Sequence, residues 1–256
     1  MPTKEVSFQN EKGHALSGII KYPDDVEAGI KFPVVVVLHG FNETKHNDLT
    51  ATTANHLFPY GFLTLRFDFH GHGESEGKYE EHTLTQQIQD VEAAIDYLEE
   101  LPNVDKDRVA IIGTDLGGDI AILIAAQDIR VKCLIIQGAR SHLEHHITSH
   151  FAEHEVKELK TEGYYRHPLY NLREAYISSA KRHDIIEAVK MLKIPLLILH
   201  AIDDLRVPIH ESRQLFLAAN QPKALEEIEN ADHWMRQDTA REKFFELTVS
   251  WLKRYL

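Results

Sequence analysis

Cysteine is almost missing from this chain. Among 256 residues there is one, Cys133, inside the apolar run Val131–Ile136. A lone cysteine excludes an internal disulfide framework, and its apolar setting marks it as a buried, inert thiol. Long hydrophobic runs are missing too. No stretch approaches the roughly 18–20 apolar residues that a membrane span requires. The opening MPTKEVSFQN is too polar for a signal peptide, so a cytoplasmic protein is expected. Positive charge is in deficit: 28 Lys and Arg stand against 40 Asp and Glu, a formal charge of −12. Such a surface repels phosphate backbones, which argues against nucleic acid as a partner and leaves a small molecule as the expected one. A homo-oligomer is compatible with this composition. Internal repeats and low-complexity segments are absent as well.

What is present is an ordinary globular composition, 43% apolar and 27% charged, in a length that can bury a substantial core. Two strands, KEVSFQ and HALSGIIKYP, open the chain. Continuous β-branched and apolar runs follow at Pro33–Leu38, Phe62–Phe67, Val109–Ile112, Val131–Ile136 and Pro195–Leu199. Runs without alternation suit strands covered on both faces, as in a parallel sheet. Helical spacing lies between them: Leu84, Ile88, Val91, Ile95 and Leu98 step by four and three along one face. Further helical stretches hold Leu215, Phe216 and Ala219, then Phe244 to Leu252. Alternating strands and helices predict an α/β fold, one domain over 1–256 with a mostly parallel sheet. Residues 141–192 break the alternation. They are polar, rich in His and Tyr, show no strand-like run, and read as an inserted helical lid.

The most informative stretch is VAIIGTDLGGDIAILIAA, Val109 to Ala126. An apolar strand ends, a glycine-rich turn follows, and an apolar helix begins. This is the context of a nucleophile elbow, G-x-S-x-G, but its central residue is Asp115. A literal G-x-S-x-G does occur at Gly73–Gly77, around Ser75, in a polar loop with no apolar helix starting there, so Ser75 is read as a loop residue. Read by itself, Asp115 is better taken as a helix N-cap. Other residues weigh against that. Leu38-His39-Gly40-Phe41 is a strand end followed by a glycine turn, which nominates the backbone N–H groups of Phe41 and Leu116 as an oxyanion hole. LHAIDDLRVP carries an acidic pair, Asp203 and Asp204, at the end of another strand. NADHWM places His233 in a loop before the last helix. The order nucleophile, acid, histidine is that of α/β-hydrolase triads.

Taken together these segments resemble the α/β-hydrolase superfamily, and within it the feruloyl/cinnamoyl esterase-like group of serine aminopeptidase-like hydrolases. VVVVLHGF resembles the oxyanion loop. LRFDFHGHGESEGKYEEH resembles the D-x-x-G-x-G-x-S-x-G loop, with Asp68, Gly71, Gly73, Ser75 and Gly77 matching. LHAIDDLRVP resembles the H-G-x-x-D-x-x-V-P segment, a register that implies Asp204 as the acid. The resemblance implies an esterase-type hydrolase fold with a helical lid and no cofactor. It places Asp115, Asp204 and His233 in the catalytic positions. The departure is Asp115, where those enzymes carry serine.

An aspartate there is ionised near neutral pH and needs no base to attack. Attack on an ester would give an anhydride while expelling a much more basic alkoxide, so esterase activity is expected to be weak or lost. Attack on a saturated carbon bearing a halide or an epoxide oxygen would give an ester that water can cleave. A third reading is a ligand-binding protein in which Asp115 and Asp204 merely pair with His233. For an epoxide the segment offers Tyr164, Tyr165, Tyr170 and Tyr176 as acids, although lid tyrosines more often pack. Haloalkane dehalogenases typically carry Trp after the nucleophile; this chain has Leu116. Finally His142, His146, His150 and His154 fall four apart, with His145 beside them. Such spacing can chelate Zn²⁺ or Ni²⁺, and equally makes a solvated polar face; no metal is assigned.

Overall fold

The computed structural model describes residues 3–23, 29–143, 152–166 and 171–256. Its centre is an eight-stranded sheet. In chain order the strands are β1 (Thr3–Gln9), β2 (Ala15–Lys21), β3 (Phe32–Leu38), β4 (Leu63–Phe67), β5 (Val104–Thr114), β6 (Val131–Gln137), β9 (Leu196–Ala201) and β10 (Lys223–Ile228). In space they run β1-β2-β4-β3-β5-β6-β9-β10. Strand β2 is antiparallel to both neighbours, and every pairing from β4 to β10 is parallel.

The unbroken valines of β3 show why the runs do not alternate. Val34, Val36 and Leu38 pack on one face with α2 (Leu84–Glu99) and α3 (Leu116–Gln127). Val35 and Val37 pack on the other, with α1 (Asp48–Leu57) and the C-terminal helix Asp238–Tyr255. Both faces are dry, so neither needs polar residues. Helix α2 starts where Thr83 caps it, its side chain accepting the Gln86 N–H at 3.1 Å. Its predicted face, Leu84, Ile88, Val91, Ile95 and Leu98, is buried throughout.

One expectation needs correction, and one strand was not foreseen. The 141–192 segment is not free of strands: after α4 (Glu153–Glu162) it contains a hairpin of β7 (Tyr164–Arg166) and β8 (Asn171–Arg173). Three-residue strands are too short to show a period of two. Helices α5 (Glu174–Ala180) and α6 (Ile185–Met191) complete the segment. Among its described residues, Leu159, Leu172, Tyr176 and Ile177 sit in the main core. Strand β10, KALEEI, reads as polar yet pairs with β9 at the sheet edge. Edge strands carry charge on purpose, which hides them from a hydrophobicity pattern.

The loop after β4 is tied down by buried charge. Lys45 donates from Nζ to Asp68 at 2.5 Å and to Glu74 at 2.5 Å, with Lys45 and Asp68 both out of solvent. Ser75 donates to the Asp68 carbonyl at 2.6 Å and accepts the Ser17 N–H at 2.9 Å. The serine of the decoy motif is thus engaged on both sides in holding its own loop. Lys45→Met should leave Asp68 buried without its cation and cost about 3–5 kcal/mol. A lowered urea midpoint at unchanged m-value checks this.

Candidate active site

Asp115 is the single residue between β5 and α3, with φ 52° and ψ −125°. Positive φ at a non-glycine is strained and must be imposed by its surroundings. The glycines impose it. A Cβ on Gly113 would lie 2.2 Å from the Gly117 carbonyl oxygen, and one on Gly117 2.6 Å from that of His39. Helix, strand and turn therefore close on one another only with hydrogen at those positions. The side chain makes no cap hydrogen bond to its helix, which removes the simplest alternative role. It points across the turn. Oδ2 accepts the Phe41 N–H at 3.1 Å, and Oδ1 lies 2.6 Å from Arg140 Nη1 and 3.8 Å from His233 Nε2.

The other predicted residues converge here from the C-terminal ends of separate strands, where parallel sheets place their sites. Phe41 follows β3 through Gly40, whose absent side chain leaves room for Asp115: a Cβ would meet the Asp115 Cβ at 2.9 Å. Leu116 is the first residue of α3 and is buried. Asp204 follows β9, and its Oδ2 lies 2.6 Å from His233 Nδ1. Its Oδ1 accepts the N–H groups of Arg206 at 2.7 Å and Val207 at 2.9 Å. Burial works against the Asp204 charge, but His233 and these N–H groups outweigh it and hold the carboxyl below its ordinary pKa. Asp203, its competitor, is exposed. The His233 loop is held by Gln137 Nε2, which donates to the His233 carbonyl at 2.9 Å. The imidazole thus stands between two carboxylates, Asp204 on one nitrogen and Asp115 beyond the other.

Three charged residues in this place were not foreseen. Arg140, just after β6, is 1% exposed. Besides Asp115 it faces Asp119, whose Oδ2 lies 3.7 Å from Nη1 and whose Oδ1 accepts the Arg140 N–H at 2.7 Å. Burial opposes the Arg140 charge, but Asp115 and Asp119 more than offset it and keep its pKa raised. Burial pushes Asp119 up to about 8, so it is protonated near neutral pH. Glu43 accepts the Gly40 N–H at 3.0 Å and the Trp234 indole N–H at 3.1 Å. Its pKa is raised, first by burial and then by the Asp115 charge. One signal in the sequence did point to Arg140: it follows the end of a core strand, as Phe41, Asp115 and Asp204 do.

Of the tyrosines, Tyr176 is buried with its ring 6.0 Å from Phe41, whereas the Tyr164 hydroxyl donates to Glu80 at 3.2 Å. Burial, followed by Tyr79 and Asp119, holds the Tyr176 phenol well above its usual pKa. Tyr170 and the Tyr165 side chain lie outside the described residues, as do His145, His146 and His150. Among the described residues no group of three or more His, Cys, Asp or Glu is placed to hold a metal ion, and no helix is long and apolar enough to cross a membrane.

Residues 50–256 match the model of the prolyl oligopeptidase family. The chain belongs to that family. Its fold is that of the α/β hydrolases. The esterase Est1E from Butyrivibrio proteoclasticus, solved with ferulic acid bound, superposes with a TM-score of 0.83 at 22% identity, covering 97% of this chain and 99% of that one. Among curated relatives, an uncharacterized 31.7 kDa Escherichia coli protein is 37% identical over 111 residues, 43% of this chain and 38% of its own length. The human mitochondrial palmitoyl-protein thioesterase ABHD10 is 26% identical over 196 residues, 72% of this chain and 61% of its own. The matches thus span less than two thirds of these relatives' own lengths, 38% and 61%. The scaffold is that of a hydrolase with esterase-type neighbours.

The charge arrangement makes a pH prediction. Asp119 has a folded pKa, about 8, above its unfolded value of about 3.9. The native state therefore holds a proton that the unfolded chain gives up. That contribution is fully present below about pH 4 and is lost as pH rises through about 8. Asp119→Asn, which cannot titrate, should show a flatter fall in stability over this window. Urea midpoints at pH 5, 6, 7 and 8 measure the difference.

Proposed function

We propose that this chain is a hydrolase in which Asp115 is the nucleophile. Its substrate is a small molecule with a saturated carbon bearing a halide or an epoxide oxygen, and its turnover of carboxylic esters is weak or lost. The observation that carries the reading is the placement of the two Asp115 oxygens: Oδ2 on the Phe41 N–H, Oδ1 turned toward His233.

In a serine enzyme that N–H stabilises the oxyanion formed from the substrate carbonyl. Here the carboxylate itself takes it, so an ester carbonyl finds the donor engaged. For displacement at carbon the same contact is productive. Oδ1 bonds to carbon, the carbon–leaving-group bond breaks, and its electron pair departs with the leaving group. Asp115 becomes a neutral ester whose carbonyl oxygen, Oδ2, already sits on the Phe41 N–H, with Leu116 at the helix N-terminus as the second donor. Water then attacks that carbonyl carbon. His233 takes the water proton, and Asp204 orients and stabilises the resulting imidazolium. On collapse the imidazolium passes its proton to the departing alkoxide, the alcohol leaves, and the regenerated carboxyl loses its proton to water, which restores charged Asp115. The 141–192 segment serves as the lid over this site.

Incubating the native chain with a 1,2-epoxide and a primary alkyl bromide, followed by peptide mass mapping, tests the first step. An alkyl increment on the peptide containing Asp115, or hydrolysis of either compound, is expected. No increment and no turnover with any such electrophile would leave a ligand-binding protein.

A further inference from the structure

Charge balance at Asp115 leads one step further, and the step rests on the nucleophile reading. Arg140 is a cation sealed from solvent, and such a charge persists only with a counter-ion. In the resting site Asp115 stands 2.6 Å from Nη1 in that role. Attack on carbon removes the Asp115 charge. Asp119 does not take over the contact: its Oδ2 stands 3.7 Å from Nη1, its Oδ1 accepts the Arg140 backbone N–H, and neither oxygen reaches Nη2. The remaining negative charge is the one that left with the leaving group.

The guanidinium has a donor ready for it. Arg140 Nη2 is buried and has no hydrogen-bond partner among the described residues. An arginine fork is planar and rigid, so Nη2 is fixed beside Nη1 and hence beside the reacting oxygen. A buried, charged donor without an acceptor is costly and needs a specific explanation. As Oδ1 turns from carboxylate into ester oxygen it becomes a weak acceptor, and Nη1 is released as well. Both arms are then free to turn to a new acceptor.

We propose that Arg140 is an anion site, and that the departing halide or alkoxide becomes its replacement counter-ion once Asp115 is esterified. Arg140 thereby couples the charge state of Asp115 to anion affinity. The native chain binds small anions weakly, and the covalent intermediate binds them well. Release of the anion accompanies the return of charge to Asp115 at the end of the cycle.

Asp115→Asn removes the charge in nearly the same shape, with an NH2 in place of one oxygen, and asparagine tolerates positive φ better than most residues. Bromide is the probe. Its binding at pH 6 is followed by quenching of Trp234, whose ring lies 5.2 Å from His233. The Asp115→Asn chain should bind bromide at least about tenfold more tightly than the native chain. Adding Asp119→Asn should keep or strengthen that binding, and adding Arg140→Gln should abolish it. Circular dichroism confirms that each variant is folded. Should Arg140→Gln not fold, Arg140→Lys serves, because it keeps charge and loses the fork, and it should weaken binding severalfold. Equal bromide binding in native and Asp115→Asn chains, or binding that survives loss of Arg140, overturns the proposal. The two readings fail separately. An Asp115 adduct without bromide binding sinks only the anion site. Arg140-dependent bromide binding without any adduct sinks the nucleophile reading, and with it the leaving-group role of the site.

Discussion

Asp115→Ser is expected to raise hydrolysis of p-nitrophenyl acetate and butyrate by at least about 100-fold. Loss of a serine nucleophile costs as much as about 10⁶ in serine hydrolases, so restoring one to intact surroundings should have a large effect. The surroundings are in place. His233 Nε2 faces position 115, and Asp204 lies 2.6 Å from the opposite ring nitrogen. Removing the carboxylate also frees the Phe41 N–H from Oδ2, so an ester carbonyl can be received there. Serine is smaller than aspartate and leaves Gly40 more room. Spectrophotometric release of p-nitrophenol measures the effect. If native and Asp115→Ser chains are equally inactive, the pocket is not an ester-type pocket.

His233→Gln should separate the two chemical steps. An ionised carboxylate needs no base to attack carbon, so alkylation should proceed at close to the native rate. Hydrolysis of the resulting ester needs a base for water, and its loss should slow turnover by about 10³-fold or more. The signature is accumulation: the variant should gain one alkyl group per chain, located at Asp115, and keep it for hours. The native chain should pass through the same adduct without storing it. Asp204→Asn should behave alike but less severely, since it disturbs the orientation of His233 rather than removing the ring. Loss of both alkylation and turnover in His233→Gln would mean that the histidine acts in the first step, as in a serine enzyme.

The sequence carried more of the fold than of the electrostatics. Buried strands such as β3 announce themselves because both faces are dry, and the strand–turn–helix around Asp115 is a local pattern. Asp204 stood out from Asp203 only through the register of a longer segment, and burial separates them in space. Of Arg140 only its place after a core strand was legible. Its meaning lies in a pairing with Asp115 across 25 positions, and Asp119 acquires its raised pKa chiefly from the walls that close around it. Glu43 is similar, since its partners Gly40 and Trp234 belong to different loops. Residues that bear chemistry through one another's fields leave no periodic trace.

Isotope labelling tests the central claim most directly. With enzyme in excess over an epoxide or alkyl halide in H₂¹⁸O, a single turnover makes water attack the carbonyl carbon of the Asp115 ester. The first alcohol formed should therefore carry ¹⁶O from Asp115, and the Asp115 peptide should gain one ¹⁸O. Product labelled with ¹⁸O in the first turnover, with Asp115 left unlabelled, would mean that water attacks the substrate directly and that Asp115 never forms a bond.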